Sequence, residues 1–304
     1  MDNNIIDWIL EGDVSLQYLV HRDLLNGNKM NELRDRIPYE GWGYAYLSNR
    51  NENGHWGQRF YQPKWISSHY TLLELKNIGC PPTEEINETI RIILSENKAM
   101  DGGIDPSRTI NRSDVCINGM FLNYACYYGA PSNELESIID YVLSQQLMDG
   151  GFNCMYNRSG AKHSSLHSTI SVLEGILEYK RNGYTYQLQE LQKVQGEAVE
   201  FILQHRLYKS DKTGEVIRKA MTMFSYPNRW KYDVLRCLVY LADAEIPYDS
   251  RMDDAIELLK SKCSHGKWKV QNKHPGETFF EYEKTGQPSR INTYRALRVL
   301  TFYE

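Results

Sequence analysis

Thiols and imidazoles are the side chains here that best suit metal binding or nucleophilic attack, and their spacing limits which chemistry is open. The six cysteines, Cys80, Cys116, Cys126, Cys154, Cys237 and Cys263, are scattered singly. No C-x-x-C pair occurs, which excludes ribbon and knuckle zinc sites and a local dithiol redox motif. His163 and His167 are four apart, so a helix covering both would turn two imidazoles to one face. Ser164 and Ser165 put a helix start between or beside them, and the other reading is a loop residue at His163 and a buried histidine at His167. Asp114 follows Ser113 at the head of an apolar run, where a carboxylate caps free N–H groups and complements the helix dipole. Cys116, two residues on, reads equally as a small buried hydrophobe.

The elements that must position these groups come from a chain of 304 residues with 35 Lys and Arg against 39 Asp and Glu, a net charge of −4. That balance gives no field for holding phosphate backbones or anionic membranes, so nucleic-acid and membrane-surface roles are not expected. The N-terminus has an early Asp and no basic residue before its apolar positions, unlike a signal peptide. No run approaches the roughly 18 apolar residues of a membrane span. With unpaired cysteines, the expectation is a reduced, cytoplasmic protein. Tyrosine is abundant, 22 against 8 Phe and 6 Trp, and each buried Tyr needs a partner for its hydroxyl.

A repeat sets the architecture. Gly54-His55-Trp56, Gly102-Gly103-Ile104, Gly150-Gly151-Phe152 and Gly266-Lys267-Trp268 all read glycine, any residue, apolar, the first three 48 residues apart. A weaker copy, Gly214-Glu215-Val216, falls in the long interval. Within each period apolar residues recur at helical spacing, and each period holds two helices. The first helix, as in residues 113–129, is apolar nearly all round; the second, as in 131–146, is amphipathic. This alternation predicts inner and outer rings of helices in one all-α domain spanning residues 1–304. If residues 1–50 supply another pair, about six hairpins could close into a barrel.

Gln146-x-x-x-Gly150-x-Phe152 resembles the repeat signature of the terpenoid cyclase and protein prenyltransferase superfamily, whose fold is the α/α toroid. Gly54-x-Trp56 and Gly266-x-Trp268 are similar without the Gln. Residues 101–121 and 150–175 resemble more narrowly the zinc region of the Rab geranylgeranyltransferase beta subunit and its relatives. That resemblance implies zinc on Asp114, Cys116 and His167, with His163 the alternative ligand, and an open coordination place for a substrate thiolate. It implies diphosphate binding by Arg108, at the family's Arg position. The family Lys is Asn111 here, for which Arg112 is the substitute, and Arg229 and Lys231 are further candidates. Trp56, Trp65, Trp230 and Trp268 are candidates to line an isoprenoid tunnel, and His69 lies near a position where the family has an inner-helix His. Family tyrosines are replaced by Ile117 and Leu166.

The resemblance implies zinc-dependent transfer of an isoprenoid from an allylic diphosphate to a thiol or other nucleophile, with a partner subunit as in the eukaryotic enzymes. The alternative is a non-catalytic toroid that binds an apolar or peptide ligand in its central cavity. Cyclase chemistry is disfavoured by the lack of a D-x-D-D group. Asp253-Asp254-Ala255-Ile256-Glu257 has the look of a metal-diphosphate motif, but it opens an amphipathic helix where acidic residues are expected.

Overall fold

The computed structural model describes residues 3–25, 27, 30–107 and 112–304, and it is all-helical apart from one short ribbon and isolated bridges. The N-terminal helices are α1 (Asn3–Leu10), α2 (Val14–Val20), α3 (Met30–Arg36) and α4 (Gly41–Leu47). Five longer pairs follow the predicted alternation, with the last pair incomplete. They are α5 (Ser68–Asn77) with α6 (Glu84–Asn97), and α7 (Val115–Tyr127) with α8 (Ser132–Ser144). After the single turn α9 (Tyr156–Ser159) come α10 (Leu166–Arg181) with α11 (Leu188–Gln204), α12 (Val234–Asp243) with α13 (Asp253–Ser261), and α14 (Arg290–Tyr303). A two-residue ribbon pairs Trp268–Lys269 with Pro288–Ser289. Among the described residues no helix is long and apolar enough to cross a membrane.

The two classes of helix behave as their patterns dictate. In α5 and α7 nearly every residue is buried, whereas α6 and α8 bury one face. The first helices of consecutive pairs touch in chain order, α5 with α7, α7 with α10, α10 with α12 and α12 with α14. The N-terminal segment continues the series: α2 touches α14 and α4, and α4 touches α5. One hydrophobic cluster runs from Ile5 to Val299.

The glycine turns that connect the pairs share one construction. Gly54, Gly102, Gly150 and Gly266 have φ of +81°, +89°, +88° and +71°, the region where L side chains are strained. A Cβ on Gly102 would also come within 2.8 Å of the Ser137 carbonyl in α8, and one on Gly150 within 2.7 Å of the Glu197 carbonyl in α11. The apolar residue of each turn, Trp56, Ile104, Phe152 or Trp268, is buried. Its N–H donates to a polar side chain in the first turn of the next inner helix. The pairs are Trp56 to Ser68 Oγ (3.1 Å), Ile104 to Asn118 Oδ1 (2.7 Å), Phe152 to Thr169 Oγ1 (3.0 Å) and Trp268 to Thr293 Oγ1 (3.0 Å). Gln146 Nε2 donates to the Gly150 carbonyl (3.0 Å) and to Glu197 Oε2 (2.8 Å), tying the turn to the outer helix beside it.

The weaker copy departs from this plan. Gly214 keeps a positive φ, but Val216 is 45% exposed, and Phe224 is the residue buried ahead of α12. That helix begins at Val234, capped by Asp233, so Arg229 and Lys231 lie in the loop before it rather than at its start. An Arg229 backbone at φ +57° is one reason the helix cannot begin there.

The closest helix contact is between α7 and α10, where backbones meet at two glycines. A Cβ on Gly175 would lie 2.4 Å from the Gly119 carbonyl, and one on Gly119 2.6 Å from the Ser171 carbonyl. Backbone on both sides cannot yield, so Gly175→Ala is predicted to destabilise the protein by about 2 kcal/mol or more, by the cost of overpacking. Gly196 in α11 has open space around it, and Gly196→Ala should stabilise by up to ~1 kcal/mol. Urea denaturation of the two variants checks both signs.

Candidate functional site

A cavity of about 470 Å³ lies among the inner helices. Its wall takes Leu19 from α2, Trp42 from α4, Leu73 and Lys76 from α5, Asn123 and Tyr127 from α7, Glu174 and Glu178 from α10, Arg236 and Tyr240 from α12, and Tyr294 and Arg298 from α14. The exposed residues on its rim, Asn77, Arg181 and Asn182, sit at or just past the C-terminal ends of α5 and α10. Helix C-termini carry partial negative charge, and Lys76, Arg181 and Arg298 stand where that charge is best met.

Most of the cavity's charges are paired. Arg236 grips Glu174 in a bidentate pair (2.8 and 2.6 Å), Lys76 meets Glu178 at 2.9 Å, and Arg298 meets Asp243. Three groups stand apart. Arg229 is 7% exposed, its guanidinium lies 4.4 Å above the Trp65 ring, and its Nε and Nη1 have no hydrogen-bond partner. Arg295 gives its bonds to neutral acceptors, the Ser225 carbonyl and Asn292 Oδ1. Glu74, on the inner helix α5, is 2% exposed and neither carboxylate oxygen has a partner. Burial pushes its carboxyl up to about 7, and Arg229, Arg236 and Arg295 oppose the rise. Burial likewise lowers the Arg229 guanidinium, with Glu74 opposing. A strained backbone and a buried cation with unbonded nitrogens in the cavity wall mark a place held ready for something else; Glu74 itself does not line the cavity.

The residues expected to hold zinc are distributed differently. Both oxygens of Asp114 are taken by Arg158, with Nε at 3.0 Å from Oδ1, and Asp114 makes no capping bond to α7. His167 Nδ1 accepts the Tyr232 N–H at 2.8 Å, and its ring packs edgewise on Trp230. Burial first, then Lys231 and Arg236, pull its imidazole down to about 4. His163 is an exposed loop residue ahead of α10, 4.0 Å from Asp149. Cys116 is half-buried, and interaction with Cys154 together with burial pushes its thiol above the ordinary range, while the same interaction holds Cys154 below it. Among the described residues no three His, Cys, Asp or Glu side chains form a group that could hold a metal ion. Asp114, Cys116 and His167 therefore do not fit zinc as a ready-made ligand set.

The other candidates fall into three places. Arg108 lies outside the described residues, and exposed Arg112 donates to the Asn157 carbonyl at 2.9 Å. Trp56 and Trp268 are the buried apolar residues of their glycine turns, with indole N–H groups on the Tyr46 and Leu259 carbonyls, both 2.7 Å. Trp65 is buried beneath Arg229, and half-buried Trp230 lies under the ammonium groups of Lys231 (3.8 Å) and Lys64 (5.1 Å). None of the four tryptophans lines the cavity, so they form no common tunnel. His69 is fully buried against Tyr124 and kept neutral by that burial. Of the expected set, Arg229 alone reaches the cavity. Sequence reasoning missed Glu74, Arg236 and Arg295, although each is a charge set among residues that its helix buries. That is the signal that could have found them.

The sequence matches no known family model, and no curated protein matches it.

Glu74 gives a signed prediction. A carboxyl that binds its proton more tightly folded than unfolded makes the fold lose stability as pH rises from 4.5 to about 7, and the penalty persists above that. Between about pH 4.5 and pH 8 the stability difference should therefore move in favour of Glu74→Gln by about 3 kcal/mol. Thermal melts of variant and wild type across that range test it; a difference that does not change with pH would show that Glu74 titrates normally.

Proposed function

We propose that the chain is a single-domain α/α toroid whose lumen binds a small anionic molecule. Three observations support the ring: the sequential contacts of the inner helices, the position of α2 and α4 between α14 and α5, and a cavity walled by all of them. The Gln146 bonds to the glycine turn agree with the superfamily signature. One hydrophobic cluster from Ile5 to Val299 supports a single unit, and unpaired cysteines suit a reducing compartment such as the cytoplasm.

The observation that carries the ligand is Arg229, buried in the wall with two nitrogens unbonded. Unmet buried donors cost on the order of 1–3 kcal/mol each, more when charged, and an anion entering the lumen removes that cost. A wholly apolar ligand would leave Arg229 as it is, which is why the charged reading is preferred to the apolar one. A volume of about 470 Å³ suits a small molecule or a short peptide end rather than a folded partner.

Binding of orthophosphate, pyrophosphate and small dicarboxylates, followed by calorimetry and thermal shift, tests this. At least one should saturate on wild type and bind ten-fold or more weakly to Arg229→Met, while Arg112→Met is unchanged. No saturable anion, or equal binding by Arg229→Met, overturns it.

Zinc-dependent prenyl transfer, alone or with a partner subunit, is a second reading. It is supported by Asp114 and Cys116 lying two residues apart at the N-terminal end of α7. It requires protein purified without a poly-His tag to hold about one zinc per chain, lost in Cys116→Ala. Folded, metal-free protein would count against it.

A further inference from the structure

Residues 270–287 leave the short ribbon after Lys269 and return to it at Pro288. This arm lies against segments that precede α5 and α12, at the opposite end of the inner helices from the rim at Asn77, Arg181 and Asn182. Backbone hydrogen bonds fix its two ends, from the Gln271 N–H to the Phe224 carbonyl (2.7 Å) and from the Gly286 N–H to the Val270 carbonyl (2.7 Å). Glu283 adds an anchor at the start of α14, where its carboxylate accepts the Arg290 N–H at 2.6 Å. Among the described residues, nothing from Lys273 to Tyr282 shares a backbone-to-backbone hydrogen bond with the body of the protein. Side chains hold that stretch instead. Trp65 Nε1 donates to the Pro275 carbonyl (2.6 Å), and the Tyr282 hydroxyl donates to that of Tyr46 (3.0 Å). Phe280 packs on Tyr46 with ring centroids 4.9 Å apart, and Tyr282 packs on Trp42 at 4.8 Å and on Tyr226 at 5.0 Å.

What this stretch covers is poorly satisfied. Beneath it is a cavity of about 30 Å³, room for a water molecule, lined by Tyr46, Tyr226 and Arg229 from the body and by His274, Phe280 and Tyr282 from the arm. Tyr226 and Arg229 also line the larger cavity, so the two residues belong to both spaces. Arg229 Nε and Nη1 and His274 Nε2 are buried without a hydrogen-bond partner. Closure of the arm therefore seals polar atoms that water would otherwise satisfy, and the aromatic contacts act against that cost. A segment held by a few side chains and no backbone ladder opens at lower free energy than the helices around it. We propose that residues 273–282 are a lid that opens to let an anion reach Arg229 and closes once the anion has satisfied those nitrogens, an inference that rests on the anion reading of the site. The ligand shifts a balance that the free protein already samples, because it removes a cost borne only by the closed state.

Limited trypsin digestion of the full chain tests this, with cuts mapped by intact mass, because Lys273 and Lys284 are exposed at the two edges of the stretch. Wild type without ligand should be cut there at least ten-fold faster than it unfolds globally, the latter rate being extrapolated from urea. Arg229→Met removes the sealed cation, so its lid should close more firmly and the two cuts should slow at least three-fold. Trp65→Phe combined with Tyr282→Phe should speed them by a similar factor. Cutting at Lys212, in an exposed stretch far along the chain, is the internal control and should not change. Saturating orthophosphate or pyrophosphate should slow the Lys273 and Lys284 cuts in wild type and leave those of Arg229→Met as they were. Wild-type cuts no faster than global unfolding overturn the lid without needing any variant to fold, and so does an Arg229→Met chain cut as fast as wild type or faster. If neither phosphate binds while Arg229→Met still slows the cuts, the anion reading fails and the opening itself is upheld.

Discussion

Every described glycine turn but the weak copy depends on one hydrogen bond, from the N–H of its buried apolar residue to a polar side chain opening the next inner helix. The bond recurs with three acceptor types, at Ser68, Asn118, Thr169 and Thr293. A turn of positive φ reverses the chain where an outer helix ends, and the bond fixes where the inner helix begins. It also satisfies a donor that the large neighbouring ring has sealed from water. Remove the acceptor and the buried amide is orphaned, at about 1–3 kcal/mol, in a place where no water can replace it. The distance between successive turns then sets the length of each helix pair. The one period that lacks the bond, between Gly150 and Gly266, is also the one where the buried residue shifts to Phe224 and a long loop precedes α12.

That loop is where the cavity acquires its unpaired cation. The regular turns place their aromatic residues in the seams, as Trp56 and Trp268 show, and leave the cavity wall to the inner helices. The wall is rich in charge because inner helices end there, and their C-terminal dipoles favour Lys and Arg. Buried ion pairs are weak contributors to stability, since desolvation offsets most of their attraction, so pairs such as Arg236 with Glu174 define a shape more than they strengthen it. Arg229 and Glu74 go further, because each is buried without a bonded partner. A fold selected for stability alone would have paired or removed both.

The helices and the repeat were legible in the sequence because both rest on local periodicity. Helix α6 begins at Glu84 because Thr83 ahead of it is a capping residue whose hydroxyl accepts the Ile86 N–H. The site was less legible. Asp114 looked like a cap or a metal ligand, and neither reading could foresee Arg158, which comes from the single turn α9 and takes both its oxygens. The four tryptophans were read by residue type as tunnel lining, but Trp56 and Trp268, each two residues past a positive-φ glycine, seal their turns, and Trp65 and Trp230 stack under cations.

The α7 and α10 helices join these places. Gly119 and Gly175 bring their backbones into contact, so the two move as one body rather than as independent neighbours. At the N-terminal end of this unit lie Cys116 on α7 and, on α10, Ser168, which holds the Cys154 backbone. Towards the other end the same helices present Asn123, Tyr127, Glu174 and Glu178 to the cavity. Any larger residue at either glycine would separate the helices and disturb both regions together, because no side chain lies between the backbones to absorb the change. The small residues at that seam are therefore a shared requirement of the N-terminal end of α7 and of the charged cavity, imposed by the geometry of one helix crossing.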